Sequence, residues 1–215
     1  MRSFLIASLL FVSHAVFAAD AGLQRDMAAL EDRWALTKYE MTDKAQRLKN
    51  VQALHLEAAG LAQRYPGRAE PMIWEALIYI LEAEVHSNTA SLSALRSARE
   101  LLEAAGKIDG AALNGAVHAN LGSLYYEVPG WPISFGSNSK AEAHLKQALA
   151  HDRDGREANY FYGDFLLQRK RPKEALPYLE KALGVPIDPA HARADKGRNK
   201  EARDAYDKAK AALSR

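Results

Sequence analysis

The chain has 215 residues, with 29 Lys and Arg against 27 Asp and Glu, and no cysteine. A near-neutral balance leaves no electrostatic footprint for bulk nucleic-acid binding. The absence of cysteine excludes both a disulfide framework and a lipidated N-terminal cysteine, and a chain of this length can build its core without such staples.

The first residues read as an export signal. Arg2 supplies a positive end, Phe4 to Phe17 is apolar apart from small or weakly polar residues, and Val16 and Ala18 occupy −3 and −1 of a cleavage site. This predicts a signal peptide over 1–18 and a mature chain over 19–215, soluble in the periplasm or outside the cell. Cleavage removes Arg2 and no acid, leaving 28 bases (29 − 1) against 27 acids. No later segment is long and apolar enough to span a bilayer, so no membrane insertion is expected.

From there the chain reads as helices in pairs. Leu23, Met27, Leu30, Trp34 and Met41 mark a helix with a narrow apolar seam. Thr42 and Asp43 end it, and Asp43 with Gln46 resembles a capping box for the next helix. That second helix (Leu48, Val51, Leu54, Ala58, Leu61, Tyr65) stops at Pro66-Gly67. Pro71 suits a first helical position. Residues 72–81 are apolar on nearly every side, which predicts a helix buried on most faces, with Trp74 and Leu77 on the inner side of its pair. A polar loop is expected at His86 to Ala90, followed by a helix carrying Ala98, Leu102 and Ala105.

Leu121-Gly122 with Tyr125 forms a helix face with one small residue, where a second helix can come close. Val128 to Ser139 breaks the pattern with Pro129, Gly130, Pro132 and Gly136, and Ser139 with Glu142 predicts the cap of the next helix. The insert carries Trp131, Ile133 and Phe135, which are expected to fold back onto their own repeat. Ala141, Leu145 and Ala148 then recur as Ala175, Leu179 and Ala182, each 34 residues later, and Tyr162-Gly163 repeats Leu121-Gly122. Pro177 lies near the start of the last paired helix. A final helix, about 190–214, carries Ala202, Ala205, Tyr206, Ala209 and Leu213 on one side. The eight bases and four acids of the tail from Ala190 to Arg215 predict a solvating cap over the open end of a stack.

These residues resemble the tetratricopeptide repeat family, clearly over Leu101–Leu183 and loosely over Leu23–Ala105, with a 34-residue helix–turn–helix period. His118 and Asn159 stand where the family favours a large aromatic. The resemblance implies an all-α fold: a right-handed superhelix of stacked antiparallel helix pairs, a solenoid of about nine helices. More narrowly, Tyr125-Tyr126, the proline-rich insert ending in Gly136, and Lys140-Ala141 are similar to the T-component accessory proteins of TRAP-type solute transporters.

No catalytic constellation emerges. Seven histidines lack ligand spacing, although His144 and His151 lie two turns apart on one face, so no metal and no cofactor are expected. Asp152, Asp154 and Glu157 fall in a short interhelical turn, where capping of the next helix is the expected role. Ser134 has Pro132 where a nucleophile elbow needs its first glycine. Arg169-Lys170-Arg171 with Lys173 is expected as a solvated turn.

The function expected is therefore that of an exported, non-catalytic scaffold binding a protein or peptide in a concave groove. Helical spacing places Glu75, Tyr79 and Glu82 on one stripe, opposite Trp74 and Leu77. Asn120, Ser123, Tyr126 and Glu127 form the next stripe, and Tyr160, Asp164 and Leu167 the one after. Such a groove mixes tyrosine with carboxylate, holds no lysine or arginine, and suits an apolar ligand with positive charge. The alternative is a solute-binding accessory protein in which residues 129–136 close an apolar pocket over a small apolar solute.

Overall fold

The computed structural model describes residues 5–86 and 89–214, with side chains from Asp20 onward apart from residues 89 and 90. Among them are nine α-helices: α1 (Leu5–Ala35), α2 (Lys44–Arg64), α3 (Ala69–His86), α4 (Thr89–Ile108), α5 (Ala112–Glu127), α6 (Asn138–His151), α7 (Arg156–Gln168), α8 (Pro172–Gly184) and α9 (Ala192–Leu213). A π-helical turn, Leu36–Glu40, extends α1, and a 3-10 turn, Pro189–His191, precedes α9. Residues 87–88 of the expected polar loop, and the side chains of the expected signal peptide, lie outside the described residues.

Local chemistry sets most boundaries. The Asp43 carboxylate accepts the Gln46 N–H at 2.8 Å and opens α2, and Gly67 takes the positive φ that turns the chain before α3. Two expected starts are corrected by two residues each. Helix α3 begins at Ala69, so Pro71 sits in the first turn rather than at its first position. Helix α6 is capped by Ser137, whose side chain accepts from Lys140, and Ser139 lies inside the helix. The acids of the α6–α7 turn do not cap α7 either. Its cap is Gly155, without a side-chain bond, and Asp154 pairs with Lys181 of α8 at 2.5 Å.

Within pairs, the apolar triplets form the seams: Ala141, Leu145, Ala148, Ala175, Leu179 and Ala182 are all essentially buried. Helix α3 behaves differently from expectation. Trp74 faces the first pair, edge-to-face with Trp34 at 5.8 Å, in a cluster with Leu23, Leu30, Val51 and Leu54. Ala69, Ile73 and Ala76 instead share a core with Ala98, Leu102 and Ala105 of α4. A helix apolar all round offers periodicity no way to choose between its faces.

The even-numbered helices pack chiefly on their sequence neighbours, whereas the odd-numbered helices also touch one another: α3 with α5, α5 with α7, α7 with α9. Helix α9 then reaches α1, and α1 meets α3 through the Trp34 indole, which donates to the Leu77 carbonyl at 3.4 Å. The odd helices therefore form a closed inner circuit, with the even helices outside. This revises the expected role of α9: besides covering α8, it joins the two ends of the stack. His191 meets Glu31 at 2.7 Å and Arg193 meets Glu40 at 2.8 Å. The Tyr39 ring lies so close to Gly197 that any Cβ there would collide with it.

Candidate functional site

The inner face is built by α5 and α7 first. The Tyr126 hydroxyl donates to Asp164 Oδ2 at 2.9 Å, its ring lies 5.7 Å from that of Phe165, and the Ser123 hydroxyl donates to Glu127 at 2.7 Å. Tyr126 lies one residue, and Asp164 one turn, from the ends of their helices, and the packing of α5 against α7 brings them together. Glu127 keeps a wet edge, yet the surrounding helices raise its carboxyl above the usual range by burial, with Asp164 and Glu84 adding to the effect. Burial, with the Asp164 and Glu127 carboxylates, pushes the Tyr126 phenol well up. Tyr160 is raised likewise by burial, against the opposing charge of Arg198.

Helices α1 and α9 contribute what the three expected stripes lack. At the π-helical turn, where Met41 N–H bonds to Leu36 O at 3.1 Å, Lys38 projects inward and meets Glu84 at 2.9 Å and Glu201 at 3.8 Å. Arg198, buried, lies 4.7 Å from the Tyr160 ring centre and 4.6 Å from that of Phe161. It pairs with Glu157 at 2.9 Å and with Glu201. The expectation of a face without lysine or arginine is thus corrected. Both cations are nevertheless held by carboxylates, while Glu127 and Asp164 form no ion pair among the described residues.

The structure brings together Ser123, Tyr126, Glu127, Tyr160 and Asp164 of the expected groove. It does not bring in the α3 stripe. Tyr79 packs on His55 of α2 at 4.4 Å, Glu82 bonds His55 at 3.0 Å, and Glu75 lines a shallow cleft with residues of α4. Glu84, two residues beyond Glu82, faces inward in their place. Asn120 is buried and donates to the Ala116 carbonyl of its own helix at 2.8 Å, so it is not a groove residue. Leu167 packs against the core.

The insert departs from expectation in two of three residues. Phe135 folds back, edge-to-face with Tyr125 at 5.9 Å and under the Arg99 guanidinium at 4.5 Å. Trp131 and Ile133 do not: they are 89% and 63% exposed. They project from the edge of the ring rather than closing a pocket, because the carbonyls of Pro129 and Gly130 tie the loop back on itself.

A further cluster escaped the sequence. His118 stacks between His144 and His151, both ring centres 5.4 Å away, and its Nδ1 lies 3.1 Å from that of His144. Only the seven-residue spacing of His144 and His151 hinted at this; His118 comes from another helix. The rings stack rather than converge, and among the described residues no group of three or more His, Asp or Glu has the arrangement to hold a metal ion.

Residues 133–185 match the family model described as tetratricopeptide repeat. No curated protein matches the chain. Among solved structures, the crystal structure of a thermophilic TPR protein from Thermus thermophilus is similar over 95% of this chain and 96% of its own, with 21% identity and a TM-score of 0.57. Both matches agree with the 34-residue period, the small-residue seams and the all-α pairing. Residues 133–185 thus carry the tetratricopeptide repeat, and the chain as a whole has the all-α solenoid fold of such repeat proteins.

Proposed function

We propose that the chain is an exported, non-catalytic scaffold that binds a protein or peptide segment on the inner face of its helix ring. One observation supports this most: Tyr126, Tyr160, Glu127 and Asp164 converge there from different repeats, with two carboxylates that form no ion pair among the described residues. Such a surface suits a segment presenting a lysine, arginine or free amine beside apolar groups, held by carboxylate pairing and by the tyrosine faces. Export rests on the charged, apolar and small-residue order of residues 1–18.

Pull-down from a bacterial envelope fraction with the mature chain tests the binding. One stoichiometric partner, lost with the Glu127→Gln/Asp164→Asn double variant while the melting curve is kept, is the expected result. Retention of that partner by the variant would remove the inner face from consideration. Intact Met1 on protein recovered from the soluble fraction of a Gram-negative host would remove export.

A further inference from the structure

A second surface lies on the edge of the ring where the turns within each pair gather. Because α5 and α7 run side by side in the same direction, with Tyr126 bonded to Asp164, the α5–α6 insert and the α7–α8 turn emerge on the same edge. A cleft lined by Asn138, Ser139, Glu142, Lys146, Arg169 and Arg171 joins the foot of the insert to that turn.

The insert is a prong with a fixed shape. The Gly136 N–H donates to the Pro129 carbonyl at 3.0 Å, the Ile133 and Ser134 N–H groups reach the Gly130 carbonyl at 3.1 and 3.2 Å, and the Ser137 N–H reaches the Tyr125 carbonyl at 2.7 Å. At its neck the backbones are so close that a Cβ on Gly136 would overlap the Val128 carbonyl. Among the three large apolar residues of the prong, Phe135 fastens it to the helices. Trp131 and Ile133 therefore contribute nothing to that attachment, and their exposure calls for an occupant.

The adjoining turn supplies the charge. Lys170 takes a left-handed φ of 59°, and Arg169, Lys170 and Lys173 are exposed. None of the three forms an ion pair among the described residues. The acids nearby are already neutralised: Glu142 by Lys146 at 3.0 Å and Glu174 by Arg171 at 2.6 Å.

We propose that this edge docks on an anionic lipid surface, with Trp131 and Ile133 entering the headgroup region and Arg169, Lys170 and Lys173 pairing with lipid phosphates. A convex apolar prong needs no preformed pocket in a soft interface, and an indole favours that depth. Unpaired cations beside it match a negative leaflet. An acidic protein surface would need a cavity shaped to the prong, so the lipid is the better match.

The test uses the full mature chain with sedimentable vesicles of phosphatidylcholine alone, and of phosphatidylcholine with phosphatidylglycerol. Trp34 and Trp74 are buried, so a blue shift of indole emission on vesicle addition reports Trp131. The expected result is binding and a blue shift with the anionic vesicles only, weakened by salt. In sedimentation, the Trp131→Ser/Ile133→Ser and Arg169→Ser/Lys170→Ser/Lys173→Ser variants should each bind at least about tenfold more weakly with unchanged melting curves. No association with anionic vesicles, equal binding to both vesicle types, or undiminished binding by either variant would overturn the proposal. So would capture of an acidic protein through these residues without vesicle binding.

Discussion

A methyl group on Gly122 would lie 2.5 Å from Cγ of Leu145, across the seam between α5 and α6. One repeat later, Gly163 stands in the same relation to Leu179, at 2.7 Å. In each pair the leucine of the apolar triplet fills the space that the glycine leaves, and the Leu145 and Leu179 backbone nitrogens come within 3.3 Å of the same added carbon. The side chain could turn away; the backbone could not, so the seam has no room to spare.

Gly122→Ala and Gly163→Ala should each destabilise the fold by about 1–3 kcal/mol, the range for overpacking a tight core. Gly184 meets nothing within 4 Å, so Gly184→Ala should change stability by no more than about 0.5 kcal/mol. Urea denaturation of the three variants checks this, with a lowered midpoint expected only for the first two.

Trp131→Ala should leave the melting temperature unchanged, because the indole is in water. Had the side chain packed on its repeat, the loss would have been about 3 kcal/mol. Phe135→Ala, which removes the ring between Tyr125 and Arg99, should cost about 1–3 kcal/mol. Parallel thermal melts separate the two.

Acid should weaken the α5–α6 pair. Burial lowers the imidazoles of both His118 and His144, with His144 and His151 adding to the effect on His118. The unfolded chain therefore takes up these protons first, near pH 6.5, and binds more of them than the folded chain as pH falls below that value. Their contribution to stability is present at higher pH and declines on acidification. Glu31 and Glu127, whose carboxyls burial raises, act in the opposite sense. A His118→Gln/His144→Gln variant isolates the imidazole part: its urea midpoint should fall less than wild type between about pH 7.5 and about pH 5.5.

Ring closure depends more on buried charge than on the exposed pairs at its rim. Arg198→Ala leaves Glu157 and the Tyr160 face without their cation, and Glu201 with Lys38 alone, and should cost about 1–3 kcal/mol. Arg193→Ala removes exposed pairs to Asp32 and Glu40 and should barely move the melting temperature. Limited proteolysis of Arg198→Ala should release α9 earlier than in wild type, and equal protection would show that the ring holds without it.

Much of this architecture was legible in the residues alone. The 34-residue return of Ala/Leu/Ala, the small residue opposite each leucine, and Asp43 at the start of α2 are local features. Each acts within one helix or between sequential neighbours, so spacing reports it directly. The convergence of Tyr126, Glu127 and Asp164 was legible for a similar reason, since the first helices of successive repeats lie side by side and these residues fall outside their seams.

Closure of the ring was not legible. Apolar periodicity states which face of a helix is buried, not which distant helix buries it. The curvature that brings α9 against α1 accumulates over every pair. Only that curvature carries Lys38 and Arg198 to the inner face, where they take up Glu84, Glu157 and Glu201. The face of α3 was hidden because its apolar residues surround the helix, so only its packing between two cores selects Glu84 over Glu82. Trp131 was misplaced because composition marks an aromatic for burial, whereas the hydrogen bonds of the insert hold it outward. Spacing along the chain determined the repeats and their seams; the summed geometry of the helix pairs decided which charges meet inside and which apolar groups remain in water.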